Sequence, residues 1–341
     1  MQFHLPIEIR ETGVRISYKH SVMLIGSCFT EHIGGFMKEH KFRMMQNPNG
    51  ILFDPFSICN SIESYINGKI YTSVDLFRLN DVWNTWDHHS RFSDINDTAC
   101  LEGINSSQQA AHDFLKKADW LIITLGTSFS YKLTNEAGNF GSAGNREEGY
   151  GVANCHRAPA NWFRKTLLPI PDIISMLDNT YHQLRQFNPS LKIIFTISPV
   201  RHIRDGVVEN NRSKARLIEA VHHMIGKFDG LYYFPAYEIV VDVLRDYRFY
   251  DADLVHPNYA ATEFVMEKFK STFIEKETIL LMDEIRKIMI ARNHKPMHPG
   301  TNAHKSFLQT SLERAIEIQD HHPLVDLGDE INYFQSSLKT L

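Results

Sequence analysis

The chain has 341 residues, and 36 Lys and Arg against 40 Asp and Glu leave a formal charge of −4; no whole-chain basic field exists to hold a polyanion, and sequence-independent nucleic-acid binding is not expected. With 43% hydrophobic, 22% charged and 11% aromatic residues, the composition excludes a disordered or fibrous chain and fits one large domain, or one plus a small appendage. The longest apolar runs, such as residues 120–125 and 231–234, fall far short of the ~18 residues of a spanning helix. The first residues show no basic region followed by an apolar one, so the chain is expected to be cytoplasmic, with no membrane partner. Cys28, Cys59, Cys100 and Cys155 lack CxxC spacing, which argues against a disulfide framework or a zinc ribbon and leaves any functional cysteine as a single thiol.

Residues 21–25 form a short apolar run ending at Gly26, and residues 30–40 follow without proline. Strand, sharp turn and helix are the natural reading, the opening of an α/β unit. A second extended piece, residues 42–46, stops at the turn signal Asn47-Pro48-Asn49-Gly50, and Pro55 starts a helix through residue 65. Residues 70–98 are polar and aromatic, with Trp83, Trp86 and His88-His89, and predict an irregular excursion or small hairpin. A helix over residues 108–117 feeds the apolar run 120–125, a strand of the kind buried on both faces of a parallel sheet, which also ends in glycine, Gly126.

Residues 131–133 and the Gly-rich stretch 139–151 predict a hairpin-like insertion with a mobile tip. Pro171 opens a helix whose Ile173, Ile174, Leu177, Tyr181 and Leu184 keep the helical period up to Asn188-Pro189. Residues 192–197 form the next buried strand, 210–228 an amphipathic helix, 231–234 a strand, and about 260–288 one long helix. This alternation specifies a three-layer α/β/α sandwich around a mostly parallel, flavodoxin-like sheet over residues 1–290. Beyond it, His294, His298 and His304 lie among Pro296, Pro299 and Gly300, which predicts a linker to one terminal helix, 305–320, in a C-terminal helical extension over 291–341.

In open α/β sheets the ligand crevice lies outside the carboxyl ends of the strands. Four stretches occupy such places: Gly26-Ser27-Cys28-Phe29-Thr30, Asn47-Pro48-Asn49-Gly50, Gly126-Thr127-Ser128 and Asp253-Leu254-Val255-His256-Pro257. The first sets two potential nucleophiles, Ser27 and Cys28, at a helix N-terminus, where unpaired N–H groups favour an anion and lower a thiol's pKa. A small-residue turn serving only close strand–helix packing is the alternative. Asp253 and His256 are close enough in one turn for the carboxylate to fix the imidazole tautomer through Nδ1; otherwise Asp253 caps the following helix. Among the 18 histidines, the pairs His88-His89 and His222-His223 and the spacing His294-x-x-x-His298 fall in a loop, on diverging helix positions and in a linker, so no metal site is expected. No glycine pattern of a dinucleotide or phosphate loop is present, and no cofactor is expected.

The order of these blocks resembles the SGNH/GDSL hydrolase superfamily, and Gly26-Ser27-Cys28-Phe29-Thr30 is similar to the signature of its GSCFA branch. Thr124-Leu125-Gly126-Thr127-Ser128, Asn154-Cys155-His156, Ser198-Pro199-Val200-Arg201-His202, Ser213-Lys214-Ala215 and Tyr247-Arg248-Phe249-Tyr250 also resemble that branch. The superfamily's first block is Gly-Asp-Ser; aligned on Gly26, Ser27 stands in the Asp place and Cys28 in the Ser place. The resemblance implies Cys28 as nucleophile, or Ser27 if the turn is shifted by one residue, with His256 as base and Asp253 as its orienter. Gly50, in the turn that Asn47 opens, matches the glycine block. Gly126-Thr127-Ser128 matches the Gly-x-Asn block, with Ser128 offering a hydroxyl where the asparagine amide would donate to an oxyanion. His156 and His202 are candidates to line the cleft or ordinary polar residues at strand ends.

The implied chemistry is acyl transfer. An esterase acting on small acyl (acetyl) esters, those of carbohydrates among them, shares its first half-reaction with an acyl-CoA-dependent carbohydrate O-acyltransferase. The replacement at Ser128 keeps open a third reading, a binding protein that retained the fold and lost the chemistry. The implied partner is a small-molecule or carbohydrate ester, or acyl-CoA.

Overall fold

The computed structural model describes residues 5–139 and 146–340. In chain order the first half runs β1 (Val22–Gly26), α1 (Phe29–Glu39), β2 (Met44–Gln46), α2 (Pro55–Ile66), β3 (Phe77–Leu79), β4 (Val82–Asn84), α3 (Asp97–Leu115) and β5 (Trp120–Leu125). It continues with β6 (Phe129–Leu133), α4 (Asn135–Asn139), β7 (Gly151–Val152), β8 (Phe163–Leu167), α5 (Ile170–Phe187), β9 (Lys192–Ile197), α6 (Gly206–Lys227) and β10 (Leu231–Phe234). The remaining helices are α7 (Ala236–Glu238), α8 (Tyr259–Phe273), α9 (Lys276–Asn293), α10 (Asn302–His321) and α11 (Gly328–Lys339).

The central sheet has five strands in the order β10-β9-β5-β1-β2, every pair parallel. Alternation within β1 explains the layers. Met23 and Ile25 point into a core with Ile58 and Ile62 of α2, Leu115 of α3, Leu177 of α5 and Leu217 and Val221 of α6. Val22 and Leu24 point the other way, into a core with Phe29 and Ile33 of α1 and Val265 and Phe269 of α8. A strand covered on both faces is apolar along nearly its whole length, as β1 is and as β5 is apart from Thr124. Renumbered within the sheet, the order is 2-1-3-4-5, the flavodoxin order, so the topological switch point falls between the carboxyl ends of β1 and β5.

Outside this sheet the excursion contains an antiparallel hairpin, β3–β4, one of the two forms expected of it, whereas β6, expected in a hairpin-like insertion, is the middle of a three-stranded antiparallel sheet, β7-β6-β8. Gly141 and Gly144 of the Gly-rich stretch lie outside the described residues. Phe77 and Trp86 of the excursion share one core cluster with Leu133, Val152 and Trp162 of the small sheet. Asp87 pins that junction, pairing with Lys69 at 3.1 Å and Arg146 at 2.6 Å. Burial alone would raise its pKa, but those two cations outweigh burial and hold the carboxyl below its usual range.

Helix α3 begins well before residue 108, with Asn96 accepting the N–H of Ala99 at 2.9 Å as its cap. The expected long helix over 260–288 is two helices. The break is held by Ile16, whose N–H donates to Phe273 O at 2.7 Å and whose carbonyl accepts from Glu275 N at 3.0 Å. The expected boundary near residue 290 falls inside α9. The tail carries two helices, not one: Ile285 and Ile288 of α9, Leu308 and Leu312 of α10 and Phe334 of α11 form their own cluster. Glu330, fully buried, ties this bundle to the body through Lys41 at 2.7 Å and through Arg292. No described helix is long and apolar enough to cross a membrane.

Candidate active site

The switch point is built around Gly26. Its φ is +144°, and a Cβ there would sit 2.1 Å from Thr124 O of the neighbouring β5, so the close approach of the two strand ends requires glycine. Beyond it the Ser27 N–H donates to Thr124 O at 3.1 Å, and the Gly26 N–H donates to Asn47 Oδ1 at 2.9 Å. Asn47 is a buried asparagine with φ +46° at the end of β2, a conformation that asparagine tolerates better than most residues. Its Nδ2 is buried and has no partner among the described residues.

The two candidate nucleophiles point differently. Ser27 is 0% exposed, its Oγ has no hydrogen-bond partner among the described residues, and its Cβ packs against Gly126. Cys28 is partly exposed and opens α1 as its N-cap. Thr30 and Glu31 donate back to Ser27 O and Cys28 O, whereas the N–H groups of Cys28 and Phe29 have no backbone acceptor among the described residues. Burial pushes the Cys28 thiol above its ordinary pKa. Lys214 and the N–H groups of Phe29 and Cys28 oppose that push, and Glu31 adds to it.

Across the mouth, the Asp253 carboxylate accepts from His256 Nδ1 at 2.7 Å. Its other oxygen accepts the N–H groups of Val255 at 2.8 Å and His256 at 3.0 Å, and these bonds hold Asp253 down at about 2. Capping of α8 is done by Asn258, which accepts from Ala261 N at 3.1 Å, so Asp253 is not the cap. Among the described residues no hydrogen bond joins His256 Nε2 to Cys28 or Ser27. Burial lowers the pKa of His32 on α1, and the charge of His256 lowers it further. His32 follows Cys28 by four positions, one turn along the same face of α1.

Of the expected oxyanion donors, those at Gly50 and Ser128 are not free. Gly50 N donates to Asn47 O at 2.8 Å and closes the turn. Ser128 is fully buried: its N–H donates to Ser213 Oγ at 2.8 Å and its hydroxyl to Ser213 O at 3.1 Å, so both donors are engaged with α6. The Gly126 N–H donates to Phe53 O at 2.8 Å. The N–H groups of Cys28 and Phe29, which have no backbone acceptor among the described residues, remain as backbone donors at the start of α1.

The two further histidines separate. His202 stands edge-on to Phe53 at 5.7 Å between ring centroids, and its Nε2 is buried without a partner among the described residues. Burial, then Lys214, Lys165, His256 and Arg204, pull it down to about 4, and the Phe53 it stands against accepts the Gly126 N–H at 2.8 Å. His156 belongs to the excursion instead, with Nε2 2.8 Å from Thr85 O and its ring against Phe77 and Trp86.

Lys214 is the site residue that the sequence reading passed over. It is 1% exposed, and its Nζ donates to Gly126 O at 2.6 Å and Ser198 O at 2.7 Å, just past β5 and β9. Burial brings it down to about 7, against the opposing influence of Cys28. A signal was available: Lys214 falls on the buried stripe of α6 with Asn210, Leu217 and Val221, where an unpaired lysine is rare.

No curated protein matches the chain. Among solved structures, a carbohydrate esterase family 3 protein from Talaromyces cellulolyticus is similar at 12% identity over 78% of this chain and 99% of that one, with a TM-score of 0.32. An acetyl esterase solved with acetate ion gives 12% over 78% and 99%, with a TM-score of 0.34. An acetyl xylan esterase from the rumen bacterium Butyrivibrio proteoclasticus gives 11% over 75% and 64%, with a TM-score of 0.36. Residues 285–340 match the GSCFA domain protein, C-terminal domain, residues 21–269 match the GSCFA family, and the chain belongs to that family.

Proposed function

We propose that the chain is an ester hydrolase that works through a covalent acyl-enzyme on Cys28, with small acyl esters, acetylated carbohydrates among them, as substrates. The observation that carries this reading is the Asp253–His256 pair, 2.7 Å apart with no hydrogen bond to Nε2 among the described residues, together with Cys28 at the opening of α1 just past β1. The buried, outward-closed setting of Ser27 favours Cys28 over it.

The chemistry follows from the roles of these groups. The Cys28 thiolate adds to the ester carbonyl, and the negative charge moves to the carbonyl oxygen, where the N–H groups of Cys28 and Phe29 and the α1 dipole stabilise it. His256, its Nδ1–H held by Asp253 and its Nε2 protonated from solvent, enters this step as the imidazolium and donates the Nε2 proton as the C–O bond breaks and the alcohol leaves. His256 then takes a proton from water, which attacks the thioester and returns Cys28 as a thiol or thiolate with release of the acid. No metal enters this sequence of steps.

The test is turnover of p-nitrophenyl acetate and acetylated sugars by wild type, Cys28→Ala and His256→Ala. Wild type is expected to hydrolyse these esters, and each variant to lose at least ~100-fold in kcat/KM. Absence of turnover in wild type, or unchanged turnover in Cys28→Ala, overturns the reading. An arm with acetyl-CoA and free sugar distinguishes transfer to a sugar hydroxyl from transfer to water.

A further inference from the structure

A fully buried ammonium without a carboxylate is costly, and it persists in a fold only where other groups replace its hydration. At Lys214 two of the three N–H positions go to the carbonyls of Gly126 and Ser198, at 2.6 and 2.7 Å. The third has no partner among the described residues. Among the described residues no carboxylate pairs with it; the acid whose charge acts on it is the Cys28 thiol. The other groups about it are the Tyr237 ring, 5.8 Å from Nζ, and His202, which is itself lowered by Lys214. From the side of Cys28, the charged groups that face the thiol are Lys214 and Glu31. The path between them is short and rigid: Lys214 holds Gly126 O, Gly126 packs on the Ser27 side chain, and Cys28 is the next residue.

We propose that Lys214 is the counter-charge of the Cys28 thiolate, a positioning residue anchored on the ends of β5 and β9 that sets the ionisation of the nucleophile independently of His256. This rests on the reading of Cys28 as nucleophile. Ionisation breaks the S–H bond and delivers the proton to solvent; Lys214 forms no bond to sulfur and acts in its protonated form, which burial disfavours and the Cys28 charge favours. A division of labour follows in which Lys214 stabilises the thiolate and the Asp253–His256 pair handles the proton of the leaving alcohol.

The experiment is the rate of iodoacetamide alkylation of Cys28 in the full chain, followed on the Cys28 peptide by mass spectrometry from about pH 5 to about pH 10. It compares wild type with Lys214→Gln, which keeps donors for the two carbonyls but not the charge, and with His256→Ala. The apparent pKa of Cys28 is expected to rise by about one unit or more in Lys214→Gln and to stay in place in His256→Ala. A Lys214→Gln profile that superimposes on wild type, or a shift confined to His256→Ala, overturns the proposal. Should Lys214→Gln fail to fold, the pKa of Lys214 is followed by NMR of the labelled lysine in wild type and Cys28→Ser. Loss of the facing thiolate is expected to lower it, and an unchanged value overturns the proposal. Alkylation requires no turnover, so a shifted profile in a protein that hydrolyses no ester retains the Lys214–Cys28 coupling and removes the esterase reading alone.

Discussion

Asp253 holds His256 by Nδ1 at 2.7 Å while its second oxygen takes the N–H groups of Val255 and His256 itself. One carboxylate therefore fixes both the ring and the loop that carries it, although both side chains are half exposed. A further bond, from Arg201 N to Val255 O at 3.2 Å, stitches this loop to the segment after β9. The orientation of the base is thus set by local hydrogen bonds rather than by core packing.

Asp253→Asn is accordingly expected to lower kcat/KM for an acyl ester by ~100-fold or more, through loss of the correct tautomer. Its unfolding midpoint should stay close to wild type, as for other exposed sites. Because the carboxyl is held at about 2, Asp253 stays ionised far into acid, and an acid limb near neutrality in the pH profile does not belong to it. Steady-state kinetics with urea unfolding check both halves.

Gly26→Ala should cost at least about 2 kcal/mol, since the new methyl meets the Thr124 carbonyl at 2.1 Å where neither backbone can yield. Separation of β1 from β5 would also displace Ser27 and Cys28. Urea unfolding is the measurement, with a loss of activity beyond the loss of folded protein as its companion.

Ser128→Ala separates a structural serine from an oxyanion donor. Its hydroxyl bonds the buried Ser213 carbonyl, so the substitution should destabilise by about 1–3 kcal/mol. Activity per folded molecule should change by less than about tenfold, against the ~100-fold or greater loss typical of an oxyanion donor.

Much of this arrangement was legible in the sequence because it is local. The apolar runs of β1, β5 and β9 each end in a glycine or serine, and buried parallel strands cannot be written otherwise. The Asp253-x-x-His256 spacing encodes a contact made within one turn. The engagement of Ser128 was not legible, because it depends on which carbonyl or hydroxyl lies opposite: Ser213 arrives from a helix 85 positions later. Lys214 was hidden for the same reason, its partners Gly126 and Ser198 being carbonyls that carry no side-chain signature. The break between α8 and α9 is likewise imposed by Ile16 from the far end of the chain.

Three buried histidines give the fold an acid dependence. Burial pulls His88 down to about 3 and His156 and His202 to about 4, so below about pH 6.5 the unfolded chain binds protons that the folded chain refuses. Stability is therefore highest above that pH and falls as pH drops towards 4, by about 1.4 kcal/mol per pH unit for a fully buried histidine. His88→Asn is expected to flatten the slope by about that amount, as read by urea unfolding at several pH values. An unchanged slope would mean that His88 is charged in the fold.

The central claim is that Cys28 carries the acyl group. Intact-protein mass spectrometry after rapid acid quench of the chain with p-nitrophenyl acetate tests it most directly. The expected result is a single acetyl adduct on the Cys28 peptide, discharged by neutral hydroxylamine as a thioester is, and accumulating when Asp253→Asn slows its hydrolysis. An adduct on Ser27 that survives in Cys28→Ala, or turnover with no adduct at any quench time in either protein, would contradict it.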